Sequence, residues 1–437
     1  MVEPLLAVLG GGLGLAALAA FPGLVVVRAP WWAVPFLSAA FWIVSWWWWP
    51  LGRGHFVSSA LAGFVLLTSL RLLKPLDWSW PSRATLGVVA GSAAAFVPLL
   101  FTALPPGADV SLHARDAALL VWHDGVPASA EPLLPGQAFR PGRAGVSGLA
   151  ADLALLTALP VPRSAFLAAA LADALLYPAL FAFLARLVPA GSAALATLVA
   201  LAFPARPDPA AALGLGLVLA AAALLVRGQG RSPAFASALF LAAGVTSDPA
   251  AVWGAVPLLG IAGALAGVKA DDRKPVVERF AIAVGGAMVL AAPFVRRHTS
   301  APLALSPGSL APWTVVVAAA ALAWAGRSGR SVSRGLTIVL LTVALLGTGW
   351  RRVHVEPDVQ AGDFRAFDWI RENTRPFDVV CVGIWEAGQW VPAAAGRAIE
   401  PGAGRPCALR AVPGRWGQAD GADVAFRDDA VTLLRNP

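Results

Sequence analysis

A polytopic α-helical membrane protein of about 12 spans, with a small α/β domain at its C-terminal end, is the fold class that three observations predict. First, 58% of the 437 residues are hydrophobic and 13% are charged, with a mean hydropathy of +0.70, so a soluble globule would lack the polar side chains to cover itself. Second, apolar runs near the length of roughly 20 residues needed to cross a bilayer recur between residues 5 and 350. Third, the net charge of +8 comes from basic residues in short loops between those runs, a pattern that orients spans in a bilayer rather than one that binds nucleic acid. Abundant Ala and Gly suit close helix contacts in lipid.

Residues 5–27 form the first run, too long for the core of an export signal and preceded by Glu3 rather than by a basic cluster. Residues 31–51 are the second, ending in four consecutive tryptophans at 46–49 that read as an interfacial belt. The third and fourth runs are 56–73 and 85–104; Arg71, Lys74 and Arg83 between them place that loop in the cytoplasm and the following segment outside. The later runs are 165–187, 192–203, 210–226, 234–246, 250–268, 280–295, 312–325 and 335–350. The basic loops 227–231, 269–279 and 327–334 all belong inside. Residues 145–159 are apolar too, but their crossing would move three basic loops outside; with Gly148, Asp152 and a short length they make an interfacial helix. The expected organisation is N-terminal spans (1–104), an outer loop (105–163), a membrane core (164–350) and an external domain (351–437).

The outer loop carries the first candidate chemistry. If residues 110–122 are helical, Asp109, His113 and Asp116 fall at i, i+4 and i+7 on one face. Two carboxylates and an imidazole at a span end can bind a metal or take a proton from a substrate; the alternative is a solvated loop helix with Asp109 as its N-cap. Other outer loops bring Asp208, Asp248, and Arg296, Arg297 and His298. Carboxylates on separate loops can close over one hard divalent cation, and arginine pairs suit phosphate. Both aspartates also precede proline, where a turn or helix cap is the plainer role, and Arg296 and Arg297 can snorkel to lipid headgroups.

After Trp350 the chain turns polar. A helix from Gly362 or Asp363 to Asn373 presents Phe364, Phe367 and Ile370 on one face and stops at Pro376; a strand follows over 378–383 and a hairpin over 422–435. Cys381 and Cys407 both lie here, either paired in an oxidising compartment or with Cys381 as a buried strand residue. Trp385, Glu386 and Trp390 can form a groove that stacks on an acceptor, or the tryptophans can dock the domain on lipid.

Asp109 with His113 and Arg115, followed by Gly125 and Pro127, resembles the first outer loop of GT-C fold glycosyltransferases, above all the catalytic subunits of oligosaccharyltransferases. IleTrpGluAlaGly at 384–388 is similar to the TrpTrpAspTyrGly signature of those subunits, and AlaGlyArg follows at 395–397. The likeness covers residues 108–401; Ile384, Glu386 and Ala387 depart from the signature, so protein N-glycosylation does not carry over. The resemblance implies a polyprenyl phosphate or pyrophosphate sugar donor, an unassigned acceptor, and work on the outer face of a membrane, here a bacterial inner membrane. It implies Asp109 as acceptor base, alone or with a Mg or Mn ion shared with Asp208, and His113 as its orienting partner. Arg115, Arg296, Arg297, Arg351 and Arg352 would receive the lipid phosphate. A transporter or flippase would instead place ionisable groups within the spans, where Asp173 stands almost by itself; a non-catalytic homologue is the third reading.

Overall fold

The computed structural model describes residues 2–24, 31–48, 58–59, 61, 83–96, 108–134, 136–202, 208–227, 231–268, 274–298, 316–317, 320, 359–383, 385–399, 406–413, 423–428 and 430–435. The expected spans at 56–73, 312–325 and 335–350 lie wholly or largely outside these residues. Within them the chain forms 13 α-helices and one four-stranded sheet. The helices preceding the sheet are α1 (Val2–Ala20), α2 (Val34–Trp48), α3 (Arg83–Phe96), α4 (Ala108–His123), α5 (Ala144–Thr157), α6 (Val161–Leu187), α7 (Ala190–Ala202), α8 (Pro209–Arg227), α9 (Ser232–Ser247), α10 (Ala251–Val268), α11 (Lys274–His298) and α12 (Ala361–Asn373).

Among the described residues three stretches are long and apolar enough to cross a membrane: Val161–Leu187, Pro209–Val226 and Lys274–Arg296. Among the described residues the other apolar helices are shorter, so the helix lengths bear out membrane character without giving a count near 12. Helix α8 is the axis of the bundle. Its sequence is nearly all Ala, Gly, Leu and Val, so neighbours approach from every side, and α6, α9 and α10 pack around it with Leu213, Leu217, Leu219 and Leu225 fully buried. The ends of the helices are chemically sorted. Asp208 and Asp248 stand at one end of α8 and α9, while Arg227, Arg231 and Glu278 stand at the other, where Arg231 pairs with Glu278 at 2.8 Å.

Two expectations change. The stretch expected to lie along an interface forms α5, whose residues Ala144 through Ala154 are all buried among α1, α2, α4, α6, α8 and α9. It has no polar face to offer water; its one acid, Asp152, accepts a hydrogen bond from the Trp46 indole at 3.1 Å. The tryptophan belt is likewise partly internal. Trp46 and Trp47 are 1% and 6% exposed, and Trp47 meets Phe294 edge-on at 5.0 Å. Trp48 is 45% exposed, donating its indole N–H to the Leu290 carbonyl. Large flat side chains at a helix end bury more area between helices than at a lipid surface.

The C-terminal unit follows the predicted pattern. Helix α12 starts one residue before Gly362, with the Gln360 backbone N–H donating to the Asp363 carboxylate at 2.7 Å, and buries Phe367 and Ile370. Strands β1 (Val379–Cys381), β2 (Cys407–Pro413), β3 (Val424–Arg427) and β4 (Val431–Arg435) form a sheet in the order β1-β2-β4-β3. β1 runs parallel to β2, and the predicted hairpin is the antiparallel β3–β4 pair around Asp428. Cys381 and Cys407 form a disulfide across the β1–β2 pair, with Cα atoms 5.7 Å apart. A short 3-10 helix (Glu386–Trp390) and α13 (Val391–Ala394) leave β1 and lie against α4.

Candidate functional site

Helix α4 is where the two informative stretches of sequence meet. Asp109 lies in its first turn, one residue inside the helix rather than at its cap; its side chain falls outside the described atoms. The 3-10 helix and α13 pack on α4, with Ser111 Oγ donating to Gln389 Oε1 at 3.4 Å across 278 residues of sequence. Further along, Trp122 covers Gly396. A Cβ built on Gly396 would stand 2.7 Å from the indole, and the residue has φ +68°, so both space and backbone require glycine.

His113 and Asp116 follow on the predicted face, and both are buried rather than solvated. His113 Nδ1 is 3.2 Å from Ser147 Oγ on α5; which of the two donates depends on the ring tautomer. Burial, then the charges of Arg143 and Arg115, lower the His113 pKa to about 4, so the imidazole is neutral at neutral pH. The Asp116 carboxylate accepts two hydrogen bonds from Arg115, at 3.1 and 3.0 Å. Burial pushes its pKa up, and the Arg115 guanidinium draws it partly back.

Arg143 is the group that sequence reasoning missed. It stands at the N-cap of α5 and joins the Asp208 carboxylate; its Nε is 3.6 Å from Asp248 Oδ1. Those two carboxylates come from the start of α8 and from the junction of α9 with α10, and each also caps a helix. Asp208 Oδ1 accepts the Ala210 N–H at 2.9 Å, and Asp248 Oδ1 accepts the Ala250 N–H at 3.2 Å. The turn-or-cap role weighed for both aspartates is present, and the arginine is added to it. The helix dipoles help hold the second negative charge that Arg143 leaves over. A signal existed: a cation at a helix N-terminus opposes the dipole, and α5 has no acidic residue in its first turn, so Arg143 required carboxylates from elsewhere.

The carboxylate expected to bind a divalent cation is thus already committed, one oxygen to Arg143 and the other to a backbone N–H. Among the described residues no three His, Cys, Asp or Glu side chains are placed to hold a metal. These donors do not fit a cation site centred on Asp208.

The tryptophans of the second stretch are core residues rather than walls of an open groove. Trp385 and Trp390 are 5% and 1% exposed; the Trp385 indole donates to Asp363 Oδ1 at 2.7 Å and its ring lies 5.4 Å from Phe367. The Glu386 side chain falls outside the described atoms. Of the arginines expected to take a lipid phosphate, Arg115 is on α4 and Arg296 is exposed at the end of α11; the Arg297 side chain and all of Arg351 and Arg352 lie outside the described residues. Arg397, in the AlaGlyArg segment, is buried. It donates to the Arg371 and Thr374 carbonyls at 2.9 and 2.6 Å and to Thr374 Oγ1 at 2.7 Å, closing the end of α12.

Beside α4 a cavity of about 580 Å³ opens between Arg115 and Asp116 on the helix and Gln137, Phe139 and Arg140 on the loop that follows it. No family model and no curated protein matches this chain.

Proposed function

We propose that the protein is an integral-membrane glycosyltransferase that moves a sugar from a polyprenyl phosphate or pyrophosphate donor to an acceptor hydroxyl at the outer membrane face. One observation carries the reading: the helix bearing Asp109 and the segment Glu386–Ala394, distant in sequence and each similar to a GT-C motif, pack directly on one another. Two unrelated polar stretches have no reason to share a surface; two halves of one site do. The finer topology belongs with this reading: about 12 spans, with the outer loop and the C-terminal unit both extracytoplasmic.

In the reaction the acceptor oxygen attacks the anomeric carbon, the bond to the carrier phosphate breaks, and the acceptor proton passes to the Asp109 carboxylate. His113, one turn along α4, is neutral at neutral pH and adds no positive charge to that face. The departing phosphate takes up negative charge, which Arg296 at the end of α11 and the arginines at 297, 351 and 352 are suited to meet.

The test is transfer of labelled sugar from polyprenyl-phosphate donors in a lipid extract, comparing wild type with Asp109→Asn and Asp116→Asn at matched expression. Loss of the general base lowers turnover by roughly a hundredfold or more, while Asp116→Asn retains most activity. Equal activity in all three proteins removes the proposal's main support.

A further inference from the structure

The charges of the C-terminal sheet are sorted between its two faces. Side chains alternate across a strand, and α12 marks the inner face: Phe426 meets Trp369 of that helix with ring centroids 5.7 Å apart. Phe426 is in register with Leu433 and Leu433 with Ala411, both buried on that side. The acids of the β3–β4 hairpin turn the same way. Asp428 accepts two hydrogen bonds from Arg365 of α12, at 2.7 and 2.9 Å, and Asp423 lies 3.9 Å from Arg435, which is in register with Leu409. The outer face keeps the cations. There Arg410 and Val424 flank Leu434, while Val412 and Arg427 flank the buried Thr432. Arg410 and Arg427 are exposed, and among the described residues neither side chain makes a hydrogen bond or ion pair. Val424 is exposed beside them, and Val412 and Leu434 are half-buried. Among the described strands no carboxylate faces this side.

We propose that this outer face of the sheet docks on the anionic headgroups of the bilayer that holds the helical bundle. The two guanidinium forks match lipid phosphate oxygens, and the valines and leucine between them suit the boundary between headgroups and acyl chains. Arg410 and Arg427 stand two strands and two residues apart, about 12 Å between backbones, spread over the face rather than gathered into a pocket. A surface carrying many phosphates answers that spread better than a single soluble anion. The surface is at hand, because the segment Glu386–Ala394 fixes the C-terminal unit to α4. Each cation near an anionic membrane surface shifts the balance toward docking roughly fivefold. The docking goes beyond sugar transfer and does not need it.

The experiment places a bimane label on the full chain at Val424→Cys, on the outer face, or at Glu372→Cys, exposed on α12. The native cysteines are bridged, so only the introduced thiol reacts. Each protein is put in nanodiscs of phosphatidylcholine, with or without phosphatidylglycerol, that carry a headgroup spin-labelled lipid as quencher. In the anionic nanodiscs the label at 424 is quenched at least about twofold more than the label at 372, and removing phosphatidylglycerol abolishes most of the difference. Arg410→Gln with Arg427→Gln, both at exposed positions and so compatible with folding, brings the quenching at 424 down to the level at 372 while the unfolding midpoint stays put. Equal quenching at 424 and 372 overturns the proposal. So does quenching at 424 that ignores the anionic lipid, or that survives loss of both arginines. A label at 424 shielded from the lipid quencher and from iodide in the water gives the face to a second copy of this chain and overturns it too.

Discussion

Arg143 concentrates the energetics of the site in one side chain. Its partners Asp208 and Asp248 are 2% and 5% exposed, so removing the guanidinium takes a cation from two buried carboxylates. Breaking a buried charge pair from one side costs about 3–5 kcal/mol, and Arg143→Ala should show it as a lowered unfolding midpoint in detergent. Arg143→Lys, which keeps the charge but not the fork, should fall between. A midpoint unchanged in Arg143→Ala would mean that the pairs contribute no stability. His113 gives the site a pH dependence of known sign. Its folded pKa of about 4 lies below the ordinary 6.5, so between these values the unfolded chain binds more protons than the folded one. Stability from this group is complete above pH 6.5 and declines as pH falls toward 4, by about 3 kcal/mol. Asp116, with a raised pKa, works in the opposite direction, so the measurement is the difference in acid slope between wild type and His113→Gln. Parallel slopes would show that the imidazole is not held neutral. At this scale the sequence was only half legible. The spacing of Asp109, His113 and Asp116 gave the shared face, but spacing says nothing of what lies opposite, and Arg143 and Ser147 arrive from another helix. Trp385 and Trp390 were misjudged for a related reason: an aromatic in a polar stretch reads alike whether its ring walls a groove or fills a core.

Among elements, the junction of α12, the AlaGlyArg segment and α4 fixes the C-terminal unit to the rest of the chain. Arg397 holds the end of α12 through the Arg371 and Thr374 carbonyls, and this sets Gly396 under Trp122. Gly396→Val therefore meets both an unfavourable φ and a collision with the indole, and should loosen residues 359–435 from α4. Limited proteolysis after the α12 region should speed up in that variant; an unchanged cleavage pattern would mean that the contact does not hold the unit. The Cys381–Cys407 bridge joins strands that are already paired, closing a separation of 26 residues, and by chain entropy it contributes about 3 kcal/mol to this unit. Its removal in a Cys381→Ser, Cys407→Ser protein should lower the midpoint of the C-terminal unit by an amount that a Cys407→Ser single variant roughly matches. The elements here were the legible part of the chain. Phe367 and Ile370 on one helix face and a hairpin about Asp428 follow from local periodicity and turn chemistry, whereas β2 escaped notice because Cys407–Pro413 mixes polar and apolar residues without a clean alternation. Helix α5 reads from sequence as an interfacial element because its crossing would move three basic loops outside and because Gly148, Asp152 and a short length make a poor span, whereas Ala144 through Ala154 are buried among helices. The Trp46 indole that satisfies Asp152 lies 106 residues away in sequence.

For the whole molecule, the packing ties membrane sidedness to contact rather than to a count of spans. Ser111 with Gln389, and Trp122 with Gly396, join α4 to the C-terminal unit, so the polar surfaces of both should lie on one side of a bilayer. That inference uses only described residues on α4 and in the C-terminal unit. It also agrees with the sorting of helix ends, in which Asp208 and Asp248 share an end with Arg143 while Arg227 and Arg231 take the opposite one. Basic loops stay in the cytoplasm, so the polar cluster, the cavity and the disulfide-bonded unit should all face outward, where the bridge is stable. A cysteine introduced at Ala138, exposed at the cavity mouth, should be labelled by a membrane-impermeant maleimide in intact cells. A reporter active only outside the cytoplasm should be functional when fused after Pro437. The two readouts must agree with each other whatever the number of spans, because both surfaces belong to one packed body. Labelling of position 138 from outside combined with a C-terminal reporter active only in the cytoplasm would separate α4 from the C-terminal unit, and with it the meeting of the two motifs on which the glycosyltransferase reading stands.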